Sequence, residues 1–209
     1  MYLPSAFRQD STEILHNAIR NAGLATLVTQ TTEGLIASHV PLLLDPEPAP
    51  YGTLTGHLAR PNAQARGAVG DALAIFLGPD AYITPSWYET KRETGKVVPT
   101  WNYVAIHATG PIEFFHDPDR LLDVVTRLTQ RHEAGRDAPW AVSDAPDEFV
   151  QGMLKGIIGF SIRVARLEGK WKMSQNRPAA DRNGVVSGLM AEGREDVAAS
   201  VLEANATVA

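Results

Sequence analysis

Not one of the 209 residues is a cysteine. This excludes disulfide frameworks, thiol catalysis and any zinc or iron–sulfur site built on Cys ligands. Positive charge is also short: 19 Lys and Arg stand against 24 Asp and Glu, a formal net charge of −5. That balance is a poor electrostatic footprint for a protein that must compete for nucleic-acid phosphates. No apolar run approaches the roughly 20 residues of a membrane span. The first twenty residues carry Arg8, Asp10, Glu13 and Arg20 in place of a basic stretch followed by an apolar one, so a cytoplasmic protein is expected. Strands do not alternate with helices and no glycine fingerprint follows the first strand, which argues against a dinucleotide-binding doubly wound sheet. His39, His57 and His107 stand on expected strands without a His or carboxylate at ligand spacing, so no metal site is expected. Ser86 lacks the glycine elbow of a hydrolase nucleophile.

What is present reads as mainly β with helices. Asp10 and Glu13 form a capping-box pattern ahead of Ile14, Leu15, Ala18, Ile19 and Ala22, predicting a helix over about 11–22. Runs at 24–30 and 35–44, joined by Thr31 to Gly34, predict a hairpin. A proline-rich connection over 45–52 leads to a strand at 53–58. Further strands are expected at 72–77 and 81–86, separated by a Gly78–Pro79 turn, then a polar loop over 89–96 and a long strand over 97–115, bent near Gly110 and Pro111. Asp117 and Pro118 start a helix running to Gly135, with Leu121, Leu122, Val125, Leu128 and Thr129 on its apolar face. A shorter helix is expected over about 146–155, and from Gly159 an alternating strand with Phe160, Ile162 and Val164 on one face. The segment 181–204 is helix-prone and interrupted by Gly184, Gly188 and Gly193. Six or seven strands arriving as neighbours, with helices at the start, middle and end, argue for an antiparallel barrel with helical decoration.

Three segments concentrate polar chemistry, and each has a bland reading beside the functional one. In 56–64, Arg60 and the free N–H groups of a turn at Pro61 suit a phosphate, or form an ordinary solvated connection. In 99–103, Thr100 and Asn102 beside Trp101 and Tyr103 suit an aromatic ring carrying a polar chain, or are a strand with a wet face. In 170–177, Lys170, Lys172 and Arg177 make the most basic stretch of an acidic chain, favouring a small anion over a duplex, or a charged strand end. The arginines at 127, 131 and 136 read as a solvated helix face or a partner surface.

Together these segments resemble the PaiB-like, FMN-binding negative transcriptional regulators. The blocks run in order along nearly the whole chain: Met1-Tyr2-Leu3-Pro4; Ala37 to Leu42; Gly56-His57-Leu58-Ala59 with Asn62 and Gln64; Gly78-Pro79 with Ala81-Tyr82-Ile83; Ser86-Trp87-Tyr88; Val98 to Tyr103; Lys155 to Phe160; and Ser174-Gln175-Asn176-Arg177. The resemblance implies a split β-barrel similar to pyridoxamine phosphate oxidases, with peripheral helices. It implies a single FMN-binding domain over 1–209, its C-terminal helical extension at about 181–205, and a homodimer with FMN at the interface. By the same resemblance, Arg60 and Asn62 hold the phosphate with His57 nearby, and Thr100 and Asn102 hold the ribityl chain and ring edge. Trp87, Trp101 or Tyr88 wall the ring, and Lys172, Ser174 and Gln175 approach from the C-terminal strand. No catalytic residue is singled out.

A regulatory role is implied by the family, although no helix-turn-helix is visible and DNA as a partner rests on the family alone. The alternative is an FMN-dependent oxidoreductase acting on a small molecule. A third reading places haem in the cleft, with His39, His57 or His107 as axial ligand. The chain departs from the family pattern at Ala63, Gln64 and Ala65, where Pro-Gln-Trp is usual, and at Leu77 and Asp80, where Gln and His are usual.

Overall fold

The structure, a computed structural model, describes residues 1–206. In chain order the elements are β1 (Arg8–Gln9), α1 (Thr12–Asn21), β2 (Ala25–Thr31), β3 (Gly34–Val40), β4 (Leu43–Asp45), β5 (Thr53–Ala59), α2 (Gln64–Gly67), β6 (Ala68–Ile83), α3 (Glu89–Thr94), β7 (Thr100–Phe115), α4 (Pro118–Glu133), α5 (Asp147–Leu154), β8 (Ile157–Arg163), β9 (Arg166–Lys172), α6 (Ala179–Ala191) and α7 (Glu195–Ala206). The strands form one sheet in the order β3-β2-β6-β7-β8-β5-β4, with β9 pairing both β1 and β7. The chain divides into two compact units. One comprises 1–11, 77–106 and 168–206; the other comprises 12–76 and 107–167.

In the 12–76 and 107–167 unit the expected hairpin forms, with Ala25 opposite Val40 and Thr31 opposite Gly34. Its alternation is that of a half-buried strand, with Ala25, Leu27, Thr29 and Thr31 buried in β2. The run expected over 35–44 is split by Pro41, whose missing N–H interrupts a ladder, into β3 and β4. β5 pairs antiparallel with β8, Gly56 opposite Phe160, and β8 pairs with the end of β7, Phe114 opposite Phe160. Asp117 caps α4 by accepting the Arg120 N–H at 2.8 Å. The helix buries Leu121, Val124 and Leu128, with Leu122 and Val125 at the margin, so the buried stripe is rotated slightly from the expected one. The arginines of α4 are neither a wet face nor a free patch. Arg127 donates to Asp45 at 2.6 Å, and Arg131 donates to the carbonyls of Leu42, Arg20 and Ala22, capping the end of α1. Arg136, just past the helix, pairs with Glu133 at 3.3 Å.

The other unit has a core of Ala81, Ile83, Tyr88, Val104, Met173, Val185, Leu189, Val197, Ala198 and Val201. Here the expectations need the most correction. The Gly78–Pro79 pair is no turn: β6 runs through it. Proline's φ is compatible with extended backbone, and the bare Gly78 admits Val104, whose Cβ would lie 2.9 Å from an added Cβ. The polar loop at 89–96 contains α3, too short and charged to show an apolar stripe, closed by Gly95 at φ 70°. The long strand begins at Thr100, after Pro99. β9 runs into the basic 170–177 stretch, and its charged residues give it no apolar alternation to read. The C-terminal segment is two helices, broken only at Gly193 with φ 70°; Gly184 and Gly188 lie inside α6 and pack on Trp87.

Candidate functional site

Five of the eleven residues assigned to a cofactor from sequence line one cavity of about 170 Å³: Tyr88, Thr100, Asn102, Lys172 and Ser174. β7 supplies Thr100 and Asn102 on one face, two residues apart, and the end of β9 delivers Lys172 and then Ser174. Lys172 Nζ donates to Thr100 Oγ1 at 2.6 Å and to the Trp101 carbonyl. Asn102 is fully buried and hydrogen-bonds Ser174 Oγ at 3.0 Å. Ser174 adopts φ 63°, a left-handed turn that non-glycine residues rarely take. Gln175 holds that turn, accepting the Met173 N–H at 2.7 Å and donating to the Trp171 carbonyl, so it builds the site without lining it.

Arg177 and Asn176 complete the polar wall, while Phe7, Val98 and Pro99 complete the apolar one. The Arg177 guanidinium lies 4.5 Å from the centroid of the Tyr88 ring, a cation–π contact. Asn176 and Arg177 sit in the quoted 174–177 block, a visible signal. Phe7 lies in a short turn with no periodicity, and nothing in the sequence marks it.

Two neighbouring cations, Lys172 and Arg177, set the electrostatics of the cavity. Burial, and then the neighbouring charges of Lys170 and Arg177, hold the Lys172 ammonium below its ordinary range. Among the described residues neither Lys172 nor Arg177 forms an ion pair. Burial raises the Tyr88 phenol above its ordinary range, against the opposing pull of the Arg177 guanidinium.

The two tryptophans do not line this cavity. Trp87 packs into the core against Gly184 and Gly188. Trp101 is 53% exposed, its ring edge-on to Tyr82 at 6.1 Å. The remaining three assigned residues belong to the other unit. Arg60 is exposed and donates to the Ile157 carbonyl at 3.2 Å. Asn62 works structurally: it donates to Ser38 Oγ at 2.9 Å and accepts the Gln64 N–H at 3.0 Å. Gln64, fully buried, in turn places its Nε2 at 3.1 to 3.2 Å from the Leu27 and Ile36 carbonyls and Thr29 Oγ1, stitching β2 to β3. Thus Asn62 and Gln64 of the 56–64 motif spend their side chains on the fold. His57 lines two hollows beneath α4, its Nδ1 buried and unpartnered. Among the described residues there is no cluster able to hold a metal ion and no helix long and apolar enough to cross a membrane.

The fold is a split β-barrel with peripheral helices, the barrel class that holds flavins, and its cation cavity carries two cations, three hydroxyls, two amides and apolar walls. The family described as "Putative FMN-binding domain" matches residues 1–166, and the chain belongs to it; its cofactor is FMN. The protease synthase and sporulation protein PAI 2 of Bacillus subtilis is 34% identical over 194 residues, covering 92% of this chain and 90% of that one. An uncharacterised protein of Emericella nidulans, AN0679, is 36% identical over 226 residues, 90% of each chain. Two solved structures share the fold. The conserved hypothetical protein Rv2991 of Mycobacterium tuberculosis has a TM-score of 0.59 at 13% identity, over 85% of this chain and 94% of that one. The FAD and haem binding protein of Mycobacterium smegmatis has a TM-score of 0.57 at 16% identity, over 79% and 73%. The donor set fits FMN: Lys172 and Arg177 match a phosphate, and Thr100, Asn102 and Ser174 a polyol.

Proposed function

We propose that this chain is a cytoplasmic, homodimeric FMN-binding regulator of the PaiB type, with Tyr88, Thr100, Asn102, Lys172, Ser174 and Arg177 forming the anion-holding part of the flavin site. The observation that carries this reading is the convergence of those residues, drawn from distant parts of the sequence, on one cavity whose two cations form no ion pair among the described residues. Bound FMN supplies one- and two-electron redox chemistry at its ring. The chain's own part is to neutralise the phosphate with Lys172 and Arg177, orient hydroxyls with Thr100 and the Asn102–Ser174 pair, and exclude water with Phe7, Val98 and Pro99. The regulatory role is supported by the likeness to PAI 2.

One observation favours indirect regulation, or the second reading as an FMN-dependent oxidoreductase, over direct DNA contact. The arginines of α4 that a phosphate backbone would need are already spent: Arg120 on Glu113, Arg127 on Asp45 and Asp123, Arg131 on three carbonyls.

The test is the visible spectrum of purified protein after FMN is added and the excess removed on a sizing column. Flavin bands eluting with a dimer, and lost in Lys172→Met, support the reading; a colourless monomer overturns it. Bleaching by a reduced nicotinamide then selects the oxidoreductase. A salt-sensitive shift of promoter DNA selects direct repression.

A further inference from the structure

We propose that Lys172 is a reactive amine, through which the cation cavity takes small phosphorylated aldehydes by forming an imine at Nζ. The proposal rests on the reading of this cavity as a phosphate site, and where FMN is its other occupant the two exclude each other. The step needs no oxidant or reductant. The lone pair of the neutral amine attacks the carbonyl carbon, and a C–N bond forms as the carbonyl π bond breaks. The carbinolamine then loses its oxygen as water, which carries off both amine protons and leaves C=N.

Three features of the cavity carry it. The half-buried Lys172 Nζ has two protein acceptors among the described residues, Thr100 Oγ1 at 2.6 Å and the Trp101 carbonyl. An ammonium brings a third N–H, for which the protein has no acceptor; a neutral amine fills both places and keeps its lone pair at the remaining tetrahedral position. The second feature is the charge around it. Burial, then the charges of Lys170 and Arg177, disfavour the ammonium, and a lysine desolvated beside other cations is the activated form of this nucleophile. No carboxylate lines the cavity, and Tyr88, the other titratable group of its lining, has its phenol raised and stays uncharged. Asp181, whose charge reaches Tyr88, is fully buried and accepts the Thr90 N–H and hydroxyl, each at 2.9 Å; Glu168 pairs with the Met1 ammonium at 3.0 Å. The third feature is size. At about 170 Å³ the cavity lies below the roughly 300 Å³ at which drug-sized sites begin, so the occupant is a few carbons long. Arg177 takes its phosphate, and Thr100 and Asn176 face its hydroxyls.

The probe is glyceraldehyde 3-phosphate, incubated with the full chain freed of flavin and trapped with borohydride, which reduces the imine to a stable secondary amine located by peptide mass spectrometry. The chain has five lysines, and the exposed Lys155 is the internal reference. Lys172 should label at least about tenfold faster than Lys155. Its labelling should be slowed about tenfold by saturating inorganic phosphate or FMN, and should run about tenfold faster than with uncharged glyceraldehyde. In Arg177→Met the advantage of the phosphorylated aldehyde over the uncharged one should vanish. Labelling of Lys172 no faster than Lys155, or at equal rates with the two aldehydes, overturns the proposal, and both comparisons are made on the parent protein whatever the folding of the variant. Labelling that phosphate slows and FMN does not supports the imine and overturns the flavin reading. Flavin retained by a chain whose Lys172 does not label overturns the imine and keeps the flavin reading.

Discussion

Replacing glycine by alanine inside a helix ordinarily stabilises it by about 1 kcal/mol, because alanine loses less backbone freedom on folding. At Gly184 of α6 the sign should reverse. A Cβ built there lies 1.9 Å from the Trp87 carbonyl oxygen, whereas carbon and oxygen in contact sit about 3.3 Å apart, so some 1.4 Å of overlap must be relieved. The obstacle is backbone and cannot rotate away. It belongs to the turn Pro85–Trp87, tied by the Trp87 N–H to Thr84 at 3.2 Å and the Tyr88 N–H to Pro85 at 3.0 Å. Overpacking of this kind costs about 1–3 kcal/mol, and rigid backbone puts it at the upper end. After the helix gain, Gly184→Ala should lose about 2 kcal/mol, a fall in Tm of about 4–8 °C for a chain of this length. Tyr88 adjoins the turn and lines the cation cavity, so FMN affinity should fall with stability. Urea denaturation with an unchanged m-value is the assay, and exposed Ser187→Ala in the same helix is the control, expected within about 0.5 kcal/mol of the parent. A Gly184→Ala protein as stable as the parent would refute the packing argument.

Three further outcomes follow from the same geometry. Gln64→Leu should cost about 2–4 kcal/mol by chemical denaturation, because it removes the hydrogen bonds that the fully buried Gln64 amide makes to the Leu27 and Ile36 carbonyls and the Thr29 hydroxyl. His57 is held below its ordinary 6.5, so the unfolded chain takes up a proton first as pH falls; stability should drop as pH descends through 6.5 and level off below the folded value, and His57→Gln should remove that drop in melts run between about pH 7.5 and 5. Lys172 is likewise held below its ordinary 10.5, so the unliganded protein should gain stability as pH rises from the lowered value towards 10.5, while FMN affinity should fall over the onset of that range as the ammonium is lost. In Lys172→Met, FMN affinity should be at least about tenfold weaker and flat across that range in fluorescence titrations.

The parts of the fold that could be read from sequence are those whose signal is local. The β2–β3 hairpin announces itself through two alternating runs around Gly34, and α4 through Asp117, Pro118 and an apolar face. What could not be read was decided by partners distant in sequence. Gly78 and Pro79 look like a turn until Val104 is seen to occupy the space a Cβ would take. Gly184 and Gly188 look like helix breaks until Trp87 fills the groove they leave. β9 is charged along much of its length because Lys170 is buried against the Tyr2 carbonyl and near the rings of Tyr2 and Tyr103, contacts no window of neighbouring residues reveals.

The site divides along the same line. Composition alone put Lys172, Thr100 and Asn102 among the chemically dense segments, and the fold gathers them because β7 and β9 are paired. The tryptophans misled because a rare aromatic beside polar residues reads equally as a ligand wall or as core, and only packing decides. Trp87 is held by two glycines almost a hundred residues away, whereas Trp101, on the same strand as Thr100 and Asn102, points to the opposite face by the two-residue period of a strand. The 56–64 segment misled in a more instructive way. Its amides suit an anion on paper, yet Asn62 and Gln64 are needed to join β2, β3 and the turn after β5. A polar motif is free to bind a ligand only where the backbone around it is already satisfied. In the cation cavity Gln175 and the Asn102–Ser174 pair meet that condition, and Lys172 and Arg177, held by Thr100, the Trp101 carbonyl and the Tyr88 ring, form no ion pair among the described residues.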